Sequence, residues 1–170
     1  MPFQLVAEQF SQEKLPAVAN IDCGSDEWGK VANDWIKCVG TSTALSSIQT
    51  HGTEVFLYFN EDDNALAGFG SLGLTTRKIK GITHEFSTIP QVGLDTRFHR
   101  FPQGVPREQR ASYLIMNDLI YRAMVLAPDN LLLQVNKDNG RARTLYERMN
   151  FVPVGQVNEK GYQVMVLRLR

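Results

Sequence analysis

Val135-Asn136-Lys137-Asp138-Asn139-Gly140-Arg141-Ala142-Arg143-Thr144-Leu145-Tyr146-Glu147-Arg148-Met149-Asn150-Phe151 is the stretch that decides the reading of this 170-residue chain. The apolar run Leu131-Leu132-Leu133-Gln134-Val135 leads into it and reads as a strand buried on both faces. A helix from about Gly140 to Asn150 follows. Asn139 suits its N-cap, and Asn150 tolerates the left-handed conformation that ends many helices. Strands over Phe151–Val154 and Tyr162–Leu169, joined around Asn158-Glu159-Lys160-Gly161, close the chain.

Working towards the N-terminus, Pro106 to Leu126 has helical spacing, with proline at the first position. Ile115, Met116, Leu119, Ile120 and Ala123 mark its buried face. Ile89–Phe98 reads as a strand with Pro90 at its start, because proline has no amide for a ladder. Thr53–Phe59 and Ala65–Thr76 read as an antiparallel hairpin, with Val55, Leu57 and Phe59 on one face and Arg77–Ile82 extending the sheet. Ser25–Val39 reads as a helix capped by Ser25 and stopped at Gly40, its apolar face formed by Trp28, Val31, Ala32, Trp35, Ile36 and Val39. Phe3–Ala7 opens as a strand, and residues 11–19 as a short helix. The sum is a mixed α/β sheet in one domain, residues 1–170.

No apolar run reaches the roughly 20 residues that span a bilayer, and the N-terminus lacks the pattern of a signal peptide. These features place the chain in the cytoplasm, where Cys23 and Cys38 read as reduced thiols. Net charge is zero: residues 1–100 carry 8 Lys and Arg against 12 Asp and Glu, and residues 101–170 carry 10 against 6. Such a balance argues against a broad basic face for nucleic acid. His51, His84 and His99 have no metal-ligand spacing, and no phosphate-loop, dinucleotide or GxSxG motif is present.

The stretch 135–151 resembles the closing motif of the GNAT acetyltransferases, with Asn139, Ala142, Leu145, Tyr146, Glu147, Arg148 and Phe151 matching and Asn150 standing where glycine is usual. The order of elements matches over nearly the whole chain. The resemblance implies a GNAT fold: a mixed central sheet of about six to seven strands, splayed in the middle and flanked by about four helices. It implies an acetyl-CoA-dependent N-acetyltransferase that passes acetyl directly to a primary amine on a small molecule or peptide, with a homodimer left open. The splayed strands would be Ile89–Phe98 and Leu131–Val135. A backbone N–H near Leu94 would polarise the thioester carbonyl, and the diphosphate would sit at the helix start after the first of these strands. Tyr146 would protonate the departing thiolate, or it is simply a packed ring. Asn139 and Ala142 would touch the cofactor, although Asn139 serves equally as a cap.

The family's cofactor loop, Gln or Arg, two residues, Gly, one residue, Gly or Ala, aligns with Arg107 to Ser112 and puts Arg110 at the first glycine. Arg107, Arg110, Ala111 and Ser112 are then the candidate diphosphate residues. The arginines either grip phosphate by charge or mark a weak or lost site. Glu85 is the candidate general base and Glu54 its rival, each equally an ordinary surface glutamate. Two rivals remain. Asp22-Cys23-Gly24 and the Asn33-Asp34-Trp35 helix resemble the N-terminal region of GNAT toxins that acetylate aminoacyl-tRNA. A non-catalytic module that binds CoA or a partner is the other.

Overall fold

The computed structural model describes residues 4–39, 52–101, 103–126 and 128–170. The strand start expected at Phe3, the stop at Gly40 and His51 lie outside them. The elements are β1 (Leu5–Gln9), α1 (Leu15–Ala19), α2 (Glu27–Val39), β2 (Glu54–Asn60), β3 (Leu66–Ile79), β4 (Ile82–Ile89), β5 (Val92–Leu94), α3 (Ala111–Val125), β6 (Asn130–Asn136), α4 (Gly140–Arg148), β7 (Val152–Val154) and β8 (Tyr162–Arg168). The strands pair in the order β1-β2-β3-β4-β6-β8-β7, with β5 also on β3. Among the described residues eight strands exceed the six to seven expected, because residues 83–88, expected in no strand, belong to β4, while only Ile89 and Val92–Leu94 of the expected strand Ile89–Phe98 are in strands. The chain forms two compact units, residues 1–71 with 91–119 and residues 72–90 with 120–170. Both β3 and α3 contribute to each.

In the first unit, Asp26 caps α2, not Ser25: its side chain accepts from Gly29 N–H at 2.7 Å and its carbonyl from Lys30 N–H at 3.0 Å. Gly29, Ala32, Ile36 and Val39 form the buried stripe, while Val31 faces solvent. Trp35 stacks on Phe69, ring centroids 5.6 Å apart. Val55, Leu57 and Phe59 are buried as expected, but so are Phe56, Tyr58 and Asn60. One face of β2 meets the cluster around Phe10, Ile36 and Phe69. On the other, Tyr58 Oη donates to Asp118 Oδ2 at 2.8 Å and so ties the strand to α3.

β3 and β5 approach closely through glycine. A methyl group on Gly68 would lie 2.4 Å from the Gly93 carbonyl oxygen and 2.9 Å from Ile115 Cδ1. Backbone cannot yield as a side-chain tip can. We expect Gly68→Ala to cost about 2 kcal/mol, measured by chemical denaturation.

In the second unit, β3 turns into β4 at Lys80-Gly81, both with positive φ (50° and 82°), as a two-residue hairpin turn requires. The sheet therefore does not simply extend through Arg77–Ile82. β4 then runs to Ile89 and Pro90 stops it. β6 pairs parallel to β4 over Ser87–Ile89 against Leu131–Leu133, and antiparallel to β8 over all seven of its residues. Gln134–Asn136 thus continue past the end of the β4 ladder. Leu131, Leu132, Leu133 and Val135 are buried, as a doubly covered strand demands.

Asn150 takes φ 68°. Its N–H donates to Glu147 O and that of Phe151 to Tyr146 O, which is the Schellman pattern of a helix end. The Tyr146 and Phe151 rings meet at 5.9 Å and supply its customary apolar contact.

Helix α3 starts later than Pro106. Residues 107–109 form a 3-10 turn, and Arg110 is extended (φ −79°, ψ 146°). Its carbonyl accepts from the N–H groups of Tyr113 and Leu114, so Arg110 is the N-cap rather than a helical residue. Of the expected buried face, Ile115, Met116, Leu119 and Ala123 are fully buried and Ile120 only partly.

Candidate active site

The first unit carries Leu94, Arg107, Arg110, Ala111 and Ser112; the second carries Glu85, Asn139, Ala142 and Tyr146.

Among the described residues β5 pairs with one strand only, β3. Asp95 N–H donates to Ala67 O and Ser71 N–H to Gln91 O, and Phe69 faces Gly93 between them. Bonded and non-bonded pairs alternate in an antiparallel ladder. Val92 and Leu94, opposite Gly70 and Gly68, therefore turn their N–H and C=O groups away from β3. His99 Nε2 lies 2.9 Å from the Leu94 carbonyl oxygen; a carbonyl only accepts, so the proton is on Nε2.

The Cys23 thiol lies by the Leu94 backbone. Burial, then the carboxylates of Asp95 and Asp22, push it up to about 12, against the opposing pull of Lys37 and the Leu94 backbone. It stays a neutral thiol and is no nucleophile. Among the described residues neither Cys23 nor Cys38 is in a disulfide.

Asp95, which sequence reading passed over, holds the exit from β5. Only 1% exposed, it accepts from Asp22 N–H at 3.1 Å, Arg97 N–H at 3.0 Å and Arg97 Nε at 2.7 Å. Burial disfavours its charge, but the hydrogen bonds from the Arg97 side chain and backbone and from Asp22 outweigh it and hold the carboxyl below its ordinary value. Thr96 N–H donates back to Asp22 O, and Asn33 Oδ1 accepts from Cys23 N–H. The signal for Asp95 was Asp-Thr-Arg behind a strand, an acidic cap that diverts the chain into the 3-10 turn Thr96–Phe98. That cap, with Pro90, is why a strand over Ile89–Phe98 does not form.

At the start of α3, the amides of Ala111 and Ser112 have no intrahelical acceptor, and the helix dipole makes this end positive. Arg107 is exposed on the 3-10 turn. The Arg110 guanidinium stacks 3.6 Å from the centroid of the Phe101 ring, and its buried Nε meets no acceptor among the described residues. A buried cationic donor with no acceptor among the described residues, on the residue that caps a helix start, fits an anion.

In the second unit, Asn139 caps α4 by accepting from Ala142 N–H at 3.2 Å. Tyr146 is half-buried, and desolvation pushes its hydroxyl up to about 12. Glu85 is exposed on β4 opposite Thr76, while Glu54, exposed on β2, accepts from Gln9 at 3.3 Å. Among the described residues no group of His, Cys, Asp and Glu could hold a metal, and no helix is long and apolar enough to cross a membrane.

A GNAT-family protein from Desulfovibrio desulfuricans matches 98% of this chain over 100% of its own, with a TM-score of 0.68 at 10% identity. The chain has the GNAT fold. A mutant of the AtaT toxin, bound to the C-terminus of the antitoxin AtaR and to acetyl-CoA, matches 97% of this chain over 93% of its own, with a TM-score of 0.65 at 14% identity. AtaT complexed with acetyl-methionyl-tRNAfMet matches 97% over 95%, with a TM-score of 0.62 at 14% identity. No family model and no curated protein matches by sequence. In terms of the GNAT fold, β4 and β5 are the interrupted strand, α3 the helix that follows it, and α4 the helix of the closing motif.

Proposed function

We propose that the chain is an N-acetyltransferase, one domain in function, that binds acetyl-CoA and transfers acetyl directly to a primary amine. The short strand beyond Pro90 carries this reading: ladder alternation turns Val92 and Leu94 away from β3, and an amide-bearing chain can pair at Val92, while Leu94 meets His99 and the Cys23 thiol. Solved neighbours holding acetyl-CoA on the same fold support it. Arg110 and the amides of Ala111 and Ser112 would hold the diphosphate, with Arg107 adding charge from the surface. The Leu94 N–H would polarise the thioester carbonyl, and Tyr146 would donate to the leaving sulfur. Asn139 and Ala142 would shape the cofactor side of α4. Glu85 would take the amine proton through water. Acetyl-CoA supplies the activated acyl group, and the acceptor amine is the nucleophile.

A thermal-shift titration tests the binding. Acetyl-CoA at about 100 times its dissociation constant adds about 2.7 kcal/mol to stability, and a flat melting temperature would end the proposal. Free thiol released with a panel of amines then separates an enzyme from a module that only binds.

A second reading places the acceptor amine on aminoacyl-tRNA. The charge distribution favours it. The second unit carries 11 Lys and Arg against 5 Asp and Glu, net +6, and the first carries 7 against 13, net −6. Overall neutrality therefore does not argue against nucleic acid, contrary to the expectation from the sequence. AtaT complexed with acetyl-methionyl-tRNAfMet shares the fold. Comparing acetylation of aminoacyl-tRNA with that of free amines decides between the acceptors.

A further inference from the structure

We infer that the β3–β4 hairpin is a docking arm for single-stranded RNA. Residues 76–85 are all exposed, on both strands and both faces. A two-stranded hairpin covered on neither face is marginal in water, so the surface it presents calls for a use. Register sorts its side chains. Thr75 pairs with Phe86, Arg77 with His84 and Ile79 with Ile82 on one face; Thr76 pairs with Glu85 and Lys78 with Thr83 on the other.

The first face is a ladder of rings, aliphatics and one guanidinium. His84 and Phe86 lie 6.4 Å apart, and Arg77 sits directly across from His84. Bases stack on rings and on guanidinium planes whatever their sequence. Lys78 on the opposite face and Lys80 in the turn add two cations, against one carboxylate, Glu85. The arm belongs to the unit that carries the net +6. Cations beside an exposed imidazole and a half-buried phenyl ring suit a flexible polyanion whose bases are unstacked; an acidic protein would not need the rings, and duplex RNA would not offer bases to them.

This deepens the second reading of function but is tested without it, since binding is read with no acetyl-CoA and no turnover. Labelled single-stranded RNA of about 12 nucleotides is titrated by fluorescence anisotropy between about 50 and 200 mM salt. Arg77→Gln/Lys78→Gln/Lys80→Gln is expected to weaken binding at least about tenfold and to reduce the slope of log K against log salt by about 2, from three phosphate contacts at about 0.7 each. His84→Ala is expected to weaken binding several-fold while leaving the slope unchanged. Lys137→Gln/Arg148→Gln/Lys160→Gln removes the same charge elsewhere in the unit and is expected to have the smaller effect. Circular dichroism and melting verify that each variant folds. Four results would overturn the inference: no binding by the wild type at the lowest salt, equal losses in the two triple variants, a duplex that competes as well as the single strand, or an arm that drives only self-association.

Discussion

Tyr146→Phe is expected to slow turnover by about 10²–10³-fold while acetyl-CoA still raises the melting temperature as in the wild type. The hydroxyl is held near 12 by desolvation, so it is a protonated donor throughout the neutral range. A free thiol titrates near about 8.5, so full proton transfer from such a phenol to a thiolate is uphill. In the proposed mechanism Tyr146 would therefore act by hydrogen bonding to charge as it develops on sulfur, with the proton balance completed through solvent. Phenylalanine keeps the ring contact with Phe151 that closes the end of α4, so the helix is retained. Steady-state kinetics beside a thermal-shift titration read both quantities. Unchanged turnover would leave Tyr146 with its structural role alone.

The second large effect is on stability. Asp95→Asn is expected to cost about 3 kcal/mol and to lower the melting temperature by roughly 6–12 °C. The carboxylate is buried and serves donors from Asp22 and Arg97; the amide leaves the Arg97 guanidinium without its counter-charge and points a donor at donors. The folded carboxyl titrates below its unfolded value of about 3.9. Its stabilisation is thus complete above that value and is lost as pH falls through the folded one. Denaturant unfolding of the wild type and Asp95→Asn should show a gap that is wide at neutral pH and narrows in acid. A gap that widened in acid would contradict the assignment.

What was legible in the sequence was local. The stretch from Asn139 to Phe151 states its own backbone needs: a cap that accepts an amide, a residue at ease with positive φ, and an apolar ring after it. β6 was legible because a run of leucines bounded by a polar turn suits a doubly covered strand. The interrupted strand was harder. Pro90 was visible, but nothing local distinguishes a proline that opens a strand from one that splits it. Asp95 gained its meaning from Asp22, which is 73 residues away. Arg110 looked like an intruder in a helix, but its extended backbone places it before the helix, with its side chain on Phe101. Charge reads differently by unit than by half of the sequence. Residues 72–90 are basic and early, so counting by halves of the sequence splits a unit that folding assembles.

The sheet gives up ladder bonds at Pro90, and just beyond it the peptide groups of Val92 and Leu94 face away from β3, those of Leu94 towards His99 and the Cys23 thiol. On the reading proposed here, the pantetheine arm would join as a guest strand and complete a layer that the polypeptide leaves open. Occupancy and local order around Val92 and Leu94 would then rise together, so recognition of the thioester would be the closing step of folding there.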